Sequence, residues 1–105
     1  MKVFVYGTLL KGMEKESVLA AAEFLGAATI TAQLFDLGWY PGVSEGDSQV
    51  IGELYDIDQT ILADVDAIEG FDEHYPAQSL FVRKTLEARS LSDGQSVNDF
   101  CYFFN

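Results

Sequence analysis

"SQVIGELYDIDQTILADVDAIEG", residues 48–70, contains the change of period that decides the fold. Residues 48–57 read as a strand, with Gly52 as a bulge or a point of close backbone approach. From Asp58 the pattern changes. Ile61, Leu62, Val65 and Ile68 form one apolar stripe at about 100° per residue, which predicts a short helix over 58–70. Asp58 is suited to cap its start and Gly70 to stop it.

Working outward, residues 29–37, "TITAQLFDL", are β-branched and partly alternating and read as a strand. Residues 38–47, "GWYPGVSEGD", carry Gly, Pro and Asp at intervals expected of a loop. Residues 14–26, "EKESVLAAAEFLG", have helical composition, with Val18, Leu19, Ala22 and Leu25 on one face and Gly26 as a stop. Val3-Phe4-Val5-Tyr6 looks like a buried strand, and "LFVRKTLEAR" and "DFCYFFN" supply two more near the C-terminus. The order strand, helix, several strands, helix, strands predicts an α+β protein. Its expected architecture is a small mixed, mostly antiparallel β-barrel or curved sheet with two short helices.

The 105 residues amount to one domain, residues 1–105, without repeat or linker. A content of 49% hydrophobic and 13% aromatic residues suits a packed globule. The formal net charge of −11 argues against nucleic acid and against an anionic membrane surface. It also means that a small anionic ligand must be held by local donors against a repulsive field. The single cysteine, Cys101, allows no internal disulfide and reads as a buried structural thiol. The apolar run after Lys2 is too short for a signal peptide, so a soluble cytoplasmic protein is expected.

Glu69 is the most informative position. It projects between Leu62 and Val65, inside the apolar stripe, from the last turn of the predicted helix. Burial and the negative end of the helix dipole would both disfavour its charge, which makes a carboxyl group useful as an acid or base near neutral pH. A terminal helix residue can equally swing out past Gly70, and the pattern leaves both readings open. Asp64, Asp66, Asp72 and Glu73 read as a solvated acidic face, with His74 in a surface loop. Neither calcium-loop spacing nor a second histidine is present, so no metal site is expected.

Tyr6-Gly7-Thr8-Leu9 leads from a strand end into a loop that a second glycine, Gly12, closes. Backbone N–H groups can converge in such a loop and bind a carboxylate without a cationic side chain. An ordinary strand-to-helix connection would look the same.

Taken together, "YGTLLKG" (6–12), "LFDLGWYPGV" (34–43), "VIGELYDID" (50–58), "VDAIEGFD" (65–72) and "FVR" (81–83) resemble, in order and spacing, the gamma-glutamylcyclotransferase-like family, including its gamma-glutamylamine cyclotransferase branch. The resemblance implies a small mixed barrel with two helices. It implies closure of a gamma-glutamyl compound to 5-oxoproline with release of the attached amine or amino acid, without cofactor or metal. The loop Tyr6, Gly7, Thr8 and Leu9 would cradle the glutamyl head group, and Glu69 would be the base and proton shuttle. Trp39 and Tyr40 would line the pocket or cover the barrel end, and Arg83 would contact substrate or form a structural ion pair. This chain departs from the family's pattern at Met13-Glu14-Lys15, where many members carry an asparagine, and at Phe81, where a tyrosine is common. The sequence stops soon after its last aromatic strand, so a C-terminal lid is not expected. Two other functions compatible with the sequence are a non-catalytic small-anion binding module and an acidic protein-interaction domain. Oligomeric state and the identity of the leaving amine are not legible.

Overall fold

The computed structural model describes residues 1–6, 16–36, 38 and 41–105. Five strands, β1 (Lys2–Val5), β2 (Glu23–Asp36), β3 (Pro41–Asp56), β4 (Phe81–Ser90) and β5 (Ser96–Phe104), close into a barrel in the order β1-β3-β2-β4-β5. Every pairing is antiparallel except β1 with β5, where Val3 meets Phe100 in parallel. One α-helix, α1 (Gln59–Glu69), follows β3, and short 3-10 turns occupy Glu16–Leu19 and Pro76–Gln78. The expected small, mixed, mostly antiparallel barrel is therefore the fold.

The chain buries both faces of its shortest strand. Val3 and Val5 point one way and Phe4 the other, as the period of two requires. Val3 and Val5 join Tyr55, Ile61, Leu62, Val65, Phe81 and Tyr102 in a cluster between the barrel wall and α1. Phe4 joins Ala28, Ile30, Val43, Leu54, Cys101 and Phe103 inside the barrel. β5 is split in the same way, with Tyr102 toward the helix and Cys101 and Phe103 inside. Small residues let the strands come close. A Cβ on Gly52 would lie 2.3 Å from the Val5 carbonyl oxygen and 2.5 Å from the Phe4 ring, so the close approach read from Gly52 is real.

Local chemistry ends α1 at both sides as its sequence predicts. The Asp58 side chain accepts from the Ile61 amide at 2.8 Å. Gly70 takes the left-handed conformation (φ 69°), and the amides of Gly70 and Phe71 donate to the Ala67 and Asp66 carbonyls.

Two local expectations fail. The helix expected over 14–26 is, in its described part, a single 3-10 turn, and β2 has already begun at Glu23. Val18, Leu19 and Ala22 do reach the core, but Gly26 is an interior strand residue (φ 115°) at a register shift, not a helix stop. The stretch read as a loop over 38–47 is, from Pro41 onward, the first part of β3. Pro41 is tolerated as the first strand residue, and the register jumps from Ala32–Ser48 to Gln33–Ser44, so residues 45–47 bulge out.

Candidate functional site

Of the expected site residues, Tyr6, Glu69 and Arg83 are described, and Tyr6 follows directly on β1. Of the loop residues, Tyr6 is described; Gly7, Thr8 and Leu9 lie outside the described residues, as do Trp39, Tyr40 and the Met13-Glu14-Lys15 departure. The Tyr6 hydroxyl donates to the Tyr102 carbonyl at 2.6 Å and accepts from the Val43 amide at 3.1 Å. One phenol therefore ties β5 to β3 across the end of the barrel. Burial pushes its pKa far above the ordinary tyrosine value, and the Cys101 and Glu69 charges add to the rise. This hydroxyl is a fixed structural strut at neutral pH.

Glu69 is the last residue of α1 and is half-buried. Its charge is felt by the Tyr6 phenol and by the Cys101 thiol. Burial foremost, then Asp99 and Glu69, push the thiol well above its usual range, which makes Cys101 the inert core thiol its aromatic neighbours suggest.

Asp66 corrects the reading of a uniformly solvated acidic face. It sits one turn before Glu69, and its side chain is 19% exposed. One oxygen accepts from the Tyr102 hydroxyl, and the other meets Arg83 Nη1 at 2.5 Å. Arg83 in turn has Nη2 3.7 Å from Glu73 and places its guanidinium over the rings of Phe71 (5.2 Å) and Phe100 (5.0 Å). Of the two roles open to Arg83, the geometry shows the structural ion pair. Phe81, where a tyrosine was noted as common, is buried and stacks edge-on against Phe104 at 5.8 Å. His74 lies in an exposed turn, and no metal-ligating cluster occurs among the described residues.

Asp99 is a buried acid the sequence reading missed. It has the inward parity of Cys101 and Phe103, is 3% exposed, and neither carboxyl oxygen has a hydrogen-bond partner. Burial pushes its pKa up to about 7, with the nearby Ala88 amide offsetting only part of the rise. Between β2 and β4, an open groove of about 510 Å³ is lined by Thr29, Thr31, Gln49, Glu87 and Arg89, among others, and by none of the residues at the barrel end.

A small closed barrel, with a capped helix that ends in a half-buried glutamate, is the frame of the candidate site. The chain belongs to the family described as gamma-glutamyl cyclotransferase, AIG2-like, whose model matches residues 3–105. It is 40% identical over 75 residues to a Vibrio cholerae member of the family, a match covering 70% of this chain and 65% of that protein. It is 30% identical over 105 residues to the gamma-L-glutamyl-butirosin B gamma-glutamyl cyclotransferase of Niallia circulans, over 98% of this chain and 66% of that one. The chain thus spans about two thirds of the length of these relatives. Among solved structures, Escherichia coli YtfP superposes with a TM-score of 0.69 at 29% identity, covering all of this chain and 83% of its own.

Proposed function

We propose that this protein cyclises a gamma-glutamyl amine or peptide, forming 5-oxoproline and releasing the attached amine or amino acid. The observation that carries the reading is Glu69: a half-buried carboxylate at the C-terminal end of a helix, acting electrostatically on Tyr6 at the start of the expected binding loop. Family membership gives that placement its chemical context.

The reaction is an isomer-balanced acyl transfer. The substrate's α-amine nitrogen bonds to its own side-chain carbonyl carbon, and the bond from that carbon to the departing nitrogen breaks. Once the α-ammonium has given up one proton to solvent, Glu69 takes the second as the nitrogen attacks and returns it to the departing nitrogen. The released amine regains a proton from solvent, so no net proton or water is consumed. Both nitrogens border one carbon, so one carboxyl can serve both in turn. The ring closes within one molecule, and holding the glutamyl chain in a bent conformation supplies much of the rate. In this reading the backbone donors of Tyr6, Gly7, Thr8 and Leu9 hold the head group, which needs no cationic side chain.

The test is turnover of a panel of gamma-glutamyl amino acids and amines, with 5-oxoproline followed by mass spectrometry and Glu69→Gln run in parallel. Product from the native protein and a loss of at least 100-fold in the variant are expected. Equal binding of a gamma-glutamyl compound by both proteins, with turnover by neither, would replace the cyclotransferase with a binding module.

A further inference from the structure

We propose that Asp66 is the positioning residue for Glu69, clamping the last turn of α1 to β5 through Tyr102 and to β4 through Arg83; this rests on the cyclotransferase reading above.

Glu69 is the final residue of α1, and final turns fray unless something holds them. The buried apolar anchors of the helix, Ile61, Leu62 and Val65, all lie before Asp66. Beyond them Ile68 is only partly buried. Asp66 adds a polar attachment beside the Leu80 amide bond to the Gly70 carbonyl, and it is three residues before Glu69, hence a neighbour on the same helix surface. Its two carboxyl oxygens take different partners from different strands, the Tyr102 hydroxyl and Arg83 Nη1. Its main-chain carbonyl accepts from the Phe71 amide at 2.9 Å, the bond that closes the helix just past Glu69. One residue thus fixes the turn from the side and from the end.

Its partners are themselves fixed. Arg83, 15% exposed, is held between two aromatic rings with Glu73 on its outer nitrogen. Tyr102 receives the Tyr6 hydroxyl on its own carbonyl and donates its side-chain hydroxyl to Asp66, so one residue links the start of the expected binding loop to the turn that bears Glu69. A partly buried ion pair is a poor source of net stability compared with an apolar pair of the same size. What it adds is direction, because a carboxylate meeting a guanidinium and a hydroxyl permits few rotations of the helix. Asparagine, with one acceptor oxygen and a donor NH2, cannot serve both donors.

Asp66 and Arg83 place opposite charges near the turn that bears Glu69, Asp66 three residues before it on the helix and Arg83 in the ion pair with Asp66. The Glu69 charge is felt by Tyr6 and Cys101, and the more exposed Glu73 lies beside Arg83. Removing the Asp66 charge should move the acid limb of the kcat/KM profile to lower pH, and removing the Arg83 charge should move it to higher pH. At helix-neighbour separation the shift on removing the Asp66 charge is roughly half to one pH unit.

The experiment measures kcat, KM and the pH dependence of kcat/KM for the native protein, Tyr102→Phe, Asp66→Asn, Arg83→Gln and the Asp66→Asn/Arg83→Gln pair. Amide hydrogen exchange of residues 66–71 is followed in each. Tyr102→Phe changes no charge, and is expected to lower kcat about 10-fold or more, leave KM within about threefold, and speed exchange in that segment alone. The two charge variants are expected to shift the acid limb in opposite directions and the pair to restore it. Folded variants with native kcat and native exchange, or shifts of one sign that merely track lost stability, overturn the proposal. If Asp66→Asn does not fold, Tyr102→Phe and Arg83→Gln decide it. Absence of turnover by the native protein would sink the cyclotransferase reading instead, and hydrogen exchange would still decide whether the clamp exists.

Discussion

Asp99→Asn should stabilise the protein at alkaline pH and leave it nearly unchanged in acid. The carboxyl is buried inside the barrel without a well-formed hydrogen bond, the Ala88 amide offsets only part of the cost, and its pKa rises from 3.8 to about 7. The folded protein therefore binds a proton that the unfolded chain has already released across that window. Stability from this group is complete below pH 4 and drains away as pH climbs through 7. At about 1.4 kcal/mol per pH unit, the rise corresponds to a ceiling of about 4 kcal/mol, and residual solvation and relaxation bring it nearer 2 kcal/mol. Asparagine has almost the same shape and no charge to bury.

The assay is urea unfolding of both proteins at unit intervals from pH 4 to pH 9. All the other carboxyl groups titrate in both, so the difference isolates residue 99. The expected difference is within about 1 kcal/mol at pH 4, growing to about 2–4 kcal/mol in favour of the variant at pH 8. A difference that stays constant across the range would show that Asp99 finds a partner or water on ionisation, and the reasoning would be wrong.

Gly52→Ala should cost about 1–3 kcal/mol in urea unfolding, because the new methyl would sit 2.3 Å from a backbone oxygen that the β1–β3 ladder holds in place. Tyr6→Phe should lower stability by about 1–3 kcal/mol through loss of the bonds to Tyr102 and Val43, read from the same unfolding curves; an unchanged midpoint would mean the strut carries no load. With a net charge of −11, raising salt from about 10 mM to 150 mM should lower KM for an acidic gamma-glutamyl peptide more than for a cationic gamma-glutamyl amine. Equal salt slopes for the two substrates would exclude electrostatic repulsion as a factor in binding.

Sequence alone revealed most where the structure is made by neighbours in the chain. Asp58 and Gly70 cap α1 through bonds spanning three to five residues, and both were legible from residue type and position. The close approach at Gly52 was legible because a glycine inside a strand has few other uses. The segment over 14–26 misled because Val18, Leu19 and Ala22 do form one buried group, yet an alanine-rich run so short satisfies helix and strand alike. β2 is selected by its partner β3, whose contacts come from residues 41–56, and no local pattern reports them. Gly and Pro over 38–47 looked like a loop because a strand can begin at Pro41 and bulge at 45–47 without losing its partner. Asp66 looked solvated for the same reason, since the guanidinium that covers it arrives from 17 residues away. Asp99 has the same parity as Cys101 and Phe103, but Phe100 and Tyr102 are apolar too, so alternation could not say which side was inside.

The division of β5 between two cores explains why the candidate site sits where it does. Here the face bearing Tyr102 is covered by α1, and the face bearing Cys101 closes the barrel interior. Tyr102 spans both: its side chain reaches Asp66 on the helix and its carbonyl receives Tyr6 from the end of β1. Arg83 is committed to Asp66, Glu73 and two rings, so its charge holds the helix in place. In the cyclotransferase reading the glutamyl carboxylate then falls to backbone donors at residues 6–9. That division suits a chain of this charge, because main-chain N–H groups attract an anion without adding a cation that the surrounding acids would claim.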